Sequence, residues 1–193
     1  MSSTVHTPST AAPIPPWAQF IESTIAWFGR IPDSLIALIG RFSIAAVFWK
    51  SGQTKIEGLA IDLIDGSFSL GIPKLSESAI ALFQDEYRLP LIPPGLAAPM
   101  AAFAEHVFPI LILLGLATRF SALALLGMTA VIQILVYPDA WAVHGTWATI
   151  LLYLAATGPG RLSVDHWIKG WSTRGAGSGD RARHRVGHDG YCS

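Results

Sequence analysis

The sequence predicts an all-α fold: an integral membrane four-helix bundle with a short N-terminal amphipathic helix and a long extracytoplasmic loop between helices 1 and 2. Three observations carry this. Charged residues make up 13% of the 193 residues, about half the ~25% usual in globular chains. The mean hydropathy is +0.46, more apolar than a water-exposed surface of this size tolerates. Four long apolar stretches recur along the chain, each closed by a turn or charge signal. Formal net charge is zero, so no basic excess points to nucleic acid.

In chain order, Met1–Pro16 is rich in Ser, Thr and Pro and lacks the basic and apolar regions of a signal peptide; it reads as a disordered lead. Over residues 17–30, Trp17, Phe20, Ile21, Ile25 and Phe28 recur at helical spacing among polar neighbours. This is an amphipathic helix, suited either to the membrane interface or to packing on the bundle. The membrane domain covers residues 31–171, with spans at about 34–51, 96–116, 119–137 and 140–157. Pro32-Asp33-Ser34 precedes the first, Ala117-Thr118-Arg119 separates the second and third, and Pro138-Asp139 ends the third. Gly158-Pro159-Gly160 ends the fourth. Gly52–Gly95 is a long polar connection whose length suggests either a functional loop or a cap on the bundle. The tail Ser172–Ser193 is rich in Gly, Arg and His and reads as disordered, its arginines suited to anionic lipid.

Basic residues set the orientation. Arg30, Arg119, Arg161, Lys169, Arg174, Arg181, Arg183 and Arg185 fall on one side, and Lys50, Lys55, Lys74 and Arg88 on the other. Both termini are therefore expected in the cytoplasm of a bacterial cell, with the chain multi-pass in the inner (plasma) membrane. The single cysteine, Cys192, excludes an intramolecular disulfide, a C-x-x-C redox pair and a Cys-rich zinc site.

The candidate site is built from polar residues inside the spans: Arg41, Glu105, His106, Gln133 and His144. Each ionisable group there costs about 2.5–3.5 kcal/mol at the bilayer centre and calls for a partner. Arg41 is flanked at four-residue spacing by Ala37 and Ala45, and Glu105 follows Ala97 and Ala101. Small residues on one face mark helix–helix contact, so both charges should point inward. At ~1.5 Å per residue, Arg41 lies roughly 10 Å and Glu105 roughly 16 Å from the cytoplasmic ends of their helices. The expectation is an Arg41–Glu105 ion pair, either architectural or part of a functional pocket.

Pro109 removes the hydrogen bond to the Glu105 carbonyl, which would open a polar pocket there. Gln133 and His144 fall at roughly 20 Å on the same scale. Thr129, Gln133 and Tyr137 make one polar stripe, placing the pocket's mouth toward the long loop. Lys50, on the opposite face from Arg41, reads as an interface anchor beside Trp49. His106, His144 and Glu105 could form a His/His/carboxylate metal site, but no paired-histidine spacing supports metal or haem. No Gly-rich phosphate loop, nucleophile elbow or His-Glu-x-x-His motif is present.

The segments Phe48–Gly58, Glu86–Pro94, Ala104–Thr129, Val131–Gly145 and Gly158–Ile168, in that order, closely resemble the DoxX family of bacterial membrane proteins. The resemblance covers about Leu35–Gly170. It implies a four-helix membrane bundle and an accessory role in a membrane redox or oxidative-stress system. Relatives include a small membrane subunit of thiosulfate:quinone oxidoreductase, so a quinone contact is one implication. Others are encoded near peptide-modification systems linked to metal stress. The family supplies no agreed catalytic residues to carry over, and the lack of C-x-x-C argues against a dithiol mechanism. The expected partners are the lipid bilayer and membrane or peripheral redox or stress proteins, with no independent enzyme activity required. The alternatives are a small transporter or export component for a metal or small solute, and a purely structural membrane partner.

Overall fold

The computed structural model describes residues 15–62 and 66–169; most of the expected N-terminal lead, the whole basic tail and Cys192 lie outside the described residues. The chain divides into two compact units that part at Pro32/Asp33. In the first, α1 spans Pro16–Phe28. Pro16 occupies the first turn, where its missing N–H costs nothing. None of its residues is buried, and Trp17, Phe20, Ile21, Ile25 and Phe28 stay exposed.

The second unit is mostly helical. Its helices are α2 (Asp33–Gln53), a short α3 (Glu77–Ala81) that runs into a wider π-type turn over Leu82–Tyr87, and α4 (Pro94–Leu114). They continue with α5 (Thr118–Val131), extended by a π-type turn over Ile132–Val136, and α6 (Trp141–Thr157). α2 packs against α4 and α6, and α5 packs against the same two helices. Between them lies a core of Ala37, Ile44, Phe48, Ile112, Ala122, Leu125, Leu151 and Leu154. Phe48 meets Trp147 in a tilted ring contact at 5.5 Å. α4 tolerates two internal prolines, Pro99 and Pro109, as helices in apolar surroundings can when neighbours satisfy the backbone.

α2, α4 and α5 with its π-type extension are each long and apolar enough to cross a membrane. Their outer faces say the same thing. Only 33% of the span residues of α2 and α4, and 28% of those of α5 with its extension, are buried, and the exposed remainder includes Ile36, Ile39, Phe42, Met100, Phe103, Ile110, Leu123 and Ile134. A water-soluble protein would not expose so continuous an apolar surface. α6 has 17 residues, short of the about 20 that a straight span requires.

The all-α expectation needs one correction. The Gly52–Gly95 connection holds a two-stranded antiparallel sheet, β1 (Ile56–Asp62) against β2 (Ser67–Leu75). The cue was apolar alternation, Leu59 and Ile61 followed by Phe68, Leu70 and Ile72, the two-residue period of a strand. Leu59 pairs with Leu70, and Ile61 with Phe68. The register slips between Glu57 and Leu59, at Gly58, whose φ of +87° suits glycine. Past the sheet, Ser76 caps α3 by accepting the Ser78 N–H. Phe83, Leu75 and Tyr87 then pack over Ala97 and Ala98 near the start of α4.

Candidate functional site

The buried polar centre of this unit is an ion pair that the sequence reading did not anticipate. Lys55 Nζ lies 2.7 Å from Glu105 Oε2, with both side chains 4% exposed. This is a charge contact rather than an aligned hydrogen bond, since Oε2 receives no donor of regular geometry. Ser51 binds both partners: its hydroxyl donates to Glu105 Oε1 at 3.2 Å and accepts from Lys55 Nζ at 3.1 Å. The Ser51 carbonyl accepts from Lys55 at 3.3 Å.

Local folding explains how a loop lysine becomes buried. α2 continues to Gln53, and the Lys55 N–H bonds back to the Gly52 carbonyl at 2.9 Å. The chain therefore turns tightly at the helix end and carries the lysine back over α4. Ser76, the residue after β2, locks the turn, because its N–H donates to the Lys55 carbonyl.

His106, the next residue on α4, extends the centre. Its Nδ1 lies 2.6 Å from the Ala102 carbonyl, and a carbonyl only accepts, so Nδ1 carries the proton. Nε2 is then the acceptor for the Gln53 amide Nε2 at 2.9 Å. Gln53 Oε1 in turn accepts the Ile61 N–H at 2.8 Å. Trp49 packs edge-on against the imidazole at 5.0 Å.

Gly52 makes this approach of helices feasible. A Cβ there would stand 2.8 Å from His106 Cε1 and 3.1 Å from Glu105 Cβ. Gly52→Ala is therefore expected to push the imidazole off Gln53 and destabilise the protein by about 1–3 kcal/mol. Gly127 on α5 has nothing near its would-be Cβ, so Gly127→Ala should stabilise by up to ~1 kcal/mol through helix propensity. Thermal unfolding in one detergent reads both, and equal effects would remove the steric account.

Arg41 is elsewhere, which corrects the expected Arg41–Glu105 pair. Its guanidinium donates to the carbonyls of Ile112 (2.7 Å), Leu113, Pro159 (3.1 Å) and Leu162 (2.6 Å). Ile112 and Leu113 belong to the last turn of α4, whose carbonyls carry the negative end of the helix dipole; the Ile112 carbonyl also accepts the Gly115 N–H at 3.0 Å. Arg41 thus closes α4 and ties the segment after α6 to it. Gly115, at φ +71°, leaves room for it: a Cβ would lie 3.0 Å from the guanidinium carbon. Asp165 does the complementary job at the start of α5, accepting from the N–H groups of Ala117 and Thr118.

Gln133 and His144 do meet, with His144 Nδ1 at 2.7 Å from Gln133 Oε1. The Gln133 amide donates to the Pro138 carbonyl at 2.6 Å, so this pair fastens the α5–α6 turn. His106 and His144 therefore serve separate networks. No cluster of three His, Cys, Asp or Glu side chains suited to a metal exists among the described residues, so the His/His/carboxylate arrangement is not formed.

A third polar group joins the connection to the end of α5. The Tyr137 hydroxyl donates to the Glu86 carboxylate, and Tyr87 meets Tyr137 edge-on at 6.0 Å. Burial, then the nearby Glu105 charge, pushes the Tyr87 hydroxyl above the usual phenol range. The hydrogen bond to Glu86 pushes Tyr137 up as well. Because the folded value is raised, the contribution of the Tyr137–Glu86 contact is complete below the unfolded pKa near 10 and fades as pH rises through the folded one. Alkaline titration of tyrosinate absorbance should show two late-titrating groups, the latest of which moves to lower pH in Glu86→Gln and is lost in Tyr137→Phe, leaving Tyr87. No such difference would remove the contact.

Apolar-faced helices around a buried Lys–Glu pair define an integral membrane protein of helical type. The family comparison gives the same class: the DoxX profile matches residues 36–138, more than half the chain. The chain belongs to the DoxX family. It is also 30% identical over 149 residues to an uncharacterized protein of Haemophilus influenzae, covering 72% of this chain and 87% of that one. No solved structure matches it.

Proposed function

We propose that this DoxX-family chain is a multi-pass protein of the bacterial inner membrane, an accessory subunit of a membrane redox or stress-response system. Its polar centre receives the head group of a quinone. In this reading α6 is the fourth span of a four-helix bundle, supported by its packing against both α2 and α5. α1 lies in the membrane interface, its apolar face immersed. Both termini are cytoplasmic. Withdrawal of Lys55 into the ion pair leaves Lys50, Lys74 and Arg88 as the basic residues of the outer side, which sharpens the charge asymmetry.

The observation that carries the reading is the Lys55–Glu105 pair with His106 beside it. A quinone carbonyl wants one or two donors in an apolar cleft, and the Lys55 ammonium and the second hydrogen of the Gln53 amide would supply them at the α2–α4 contact. In this reading Glu105 and His106 exchange protons with the bound head group. Electrons would come from a partner protein.

Trp49 is the reporter, being in ring contact with His106. Titrating a short-chain benzoquinone into detergent-purified protein should quench its fluorescence saturably. The saturable component should disappear in Trp49→Phe, leaving the linear quenching of the other six tryptophans, and its affinity should weaken about tenfold in the Lys55→Met/Glu105→Gln double variant, a loss of ~1.4 kcal/mol. Linear quenching, unchanged in those variants, would overturn the reading.

One observation favours a transporter for a metal or small solute. Polar side chains continue from the neighbourhood of Glu105 through Tyr87 and Tyr137 to the exposed Glu86. Divalent-metal flux into proteoliposomes that fails in Glu86→Gln and Glu105→Gln, without quinone quenching, would select it.

A further inference from the structure

The β1–β2 hairpin presents large apolar side chains in an ordered row. Phe68, Leu70 and Ile72 are 64%, 84% and 80% exposed. Strand alternation puts Phe68 and Leu70 on one face. Their cross-strand partners Ile61 and Leu59 share that face, while Ser69 and its partner Ala60 occupy the other. The hairpin is therefore amphipathic: on its apolar face Leu59 and Ile61 are half-buried, while Phe68 and Leu70 stand open.

Its position says what covers it. α2 is 21 residues long, about 31 Å, which just matches a hydrocarbon core of ~30 Å. Gln53 is thus at the membrane boundary and Trp49 about one turn, ~6 Å, inside it. Ile61, near the hairpin's tip, is bonded to both: its N–H donates to Gln53 Oε1 at 2.8 Å, and its carbonyl accepts from Trp49 Nε1 at 3.2 Å. Without those bonds the hairpin could project into water. With them, the tip is held beside the last turn of α2, level with the head groups.

We infer that the β1–β2 hairpin is an interfacial wedge that lays Phe68, Leu70 and Ile72 into the lipid leaflet at the C-terminal end of α2. This adds a sheet element to the membrane contact. It makes the Gln53–Ile61 bond a mechanical link between the leaflet and His106, since Gln53 holds both. The inference needs α2 to span the membrane but does not depend on a quinone.

The test uses the full chain with Cys192→Ser, reconstituted in phosphatidylcholine vesicles and labelled with an environment-sensitive fluorophore at Leu70→Cys, Phe68→Cys or Ser69→Cys. Labels at 70 and 68 should emit to the blue of the label at 69. They should be quenched by spin-labelled lipid and lose quenching by aqueous iodide. Iodide quenching at 70 and 68 equal to that at 69 would put the hairpin in water and overturn the inference. Protection from both quenchers would also overturn it, assigning the face to a protein partner or a second copy of the chain. Because all three positions are exposed, each variant should fold, and an unchanged far-ultraviolet circular dichroism spectrum checks this.

Discussion

Lys55→Met is expected to destabilise the protein by on the order of 3–5 kcal/mol, the usual cost of leaving one member of a buried ion pair without its partner. Glu105 would remain at the α2–α4 contact with only the Ser51 hydroxyl to solvate it. The double variant Lys55→Met/Glu105→Gln should recover most of that loss, because a neutral amide removes the isolated charge while filling the same volume. Reversible unfolding in a single detergent, followed by far-ultraviolet circular dichroism, measures both. Equal stability of Lys55→Met and wild type would mean that the ammonium is dispensable to the fold.

Arg41→Ala should be at least as damaging, by a different route. It strips the donor from four carbonyls, those of Ile112, Leu113, Pro159 and Leu162. Hydrogen bonds to a charged group contribute about 1.5–3 kcal/mol each and are not additive here, so a loss on the order of 4 kcal/mol or more is expected. Arg41→Lys should restore only part of it, since an ammonium cannot spread planar donors over two chain segments. A double-mutant cycle between Arg41 and Glu105 should show coupling within about 0.5 kcal/mol, as for separated sites. Ile112 is already seven residues beyond Glu105 along α4, about 10 Å. A coupling well above that limit would reinstate the ion pair read from the sequence.

That misplaced pair shows where sequence reasoning stopped. The burial of Arg41 and Glu105 was legible, because alanines at four-residue spacing marked close-packed faces, and both side chains are 3% exposed. Their partners were not legible. Depth along a helix axis says nothing about where a long side chain turns, and Arg41 turned toward the carbonyls at the end of α4, a stronger field for a cation than distant Glu105. Lys55 was counted as a loop charge because the end of α2 was read about two residues short. The hairpin was hidden for a related reason: its alternating residues sit among Gly66, Gly71 and Pro73, which punctuate strands as readily as loops. Gln133 and His144 were read at one depth and are indeed hydrogen-bonded to each other, since adjacent helices joined by a short turn preserve depth.

By itself the sequence determined that this chain belongs in a lipid environment, because low charge and long apolar stretches leave no water-soluble arrangement. It also determined which polar residues must be buried, since small-residue stripes dictate the faces that helices share. Only the tertiary structure decided who neutralises whom: Lys55 with Glu105, Arg41 with the end of α4, Gln53 with His106. Such pairings depend on angstrom-scale turns at helix ends and on side-chain reach. A one-dimensional pattern of hydropathy does not record them.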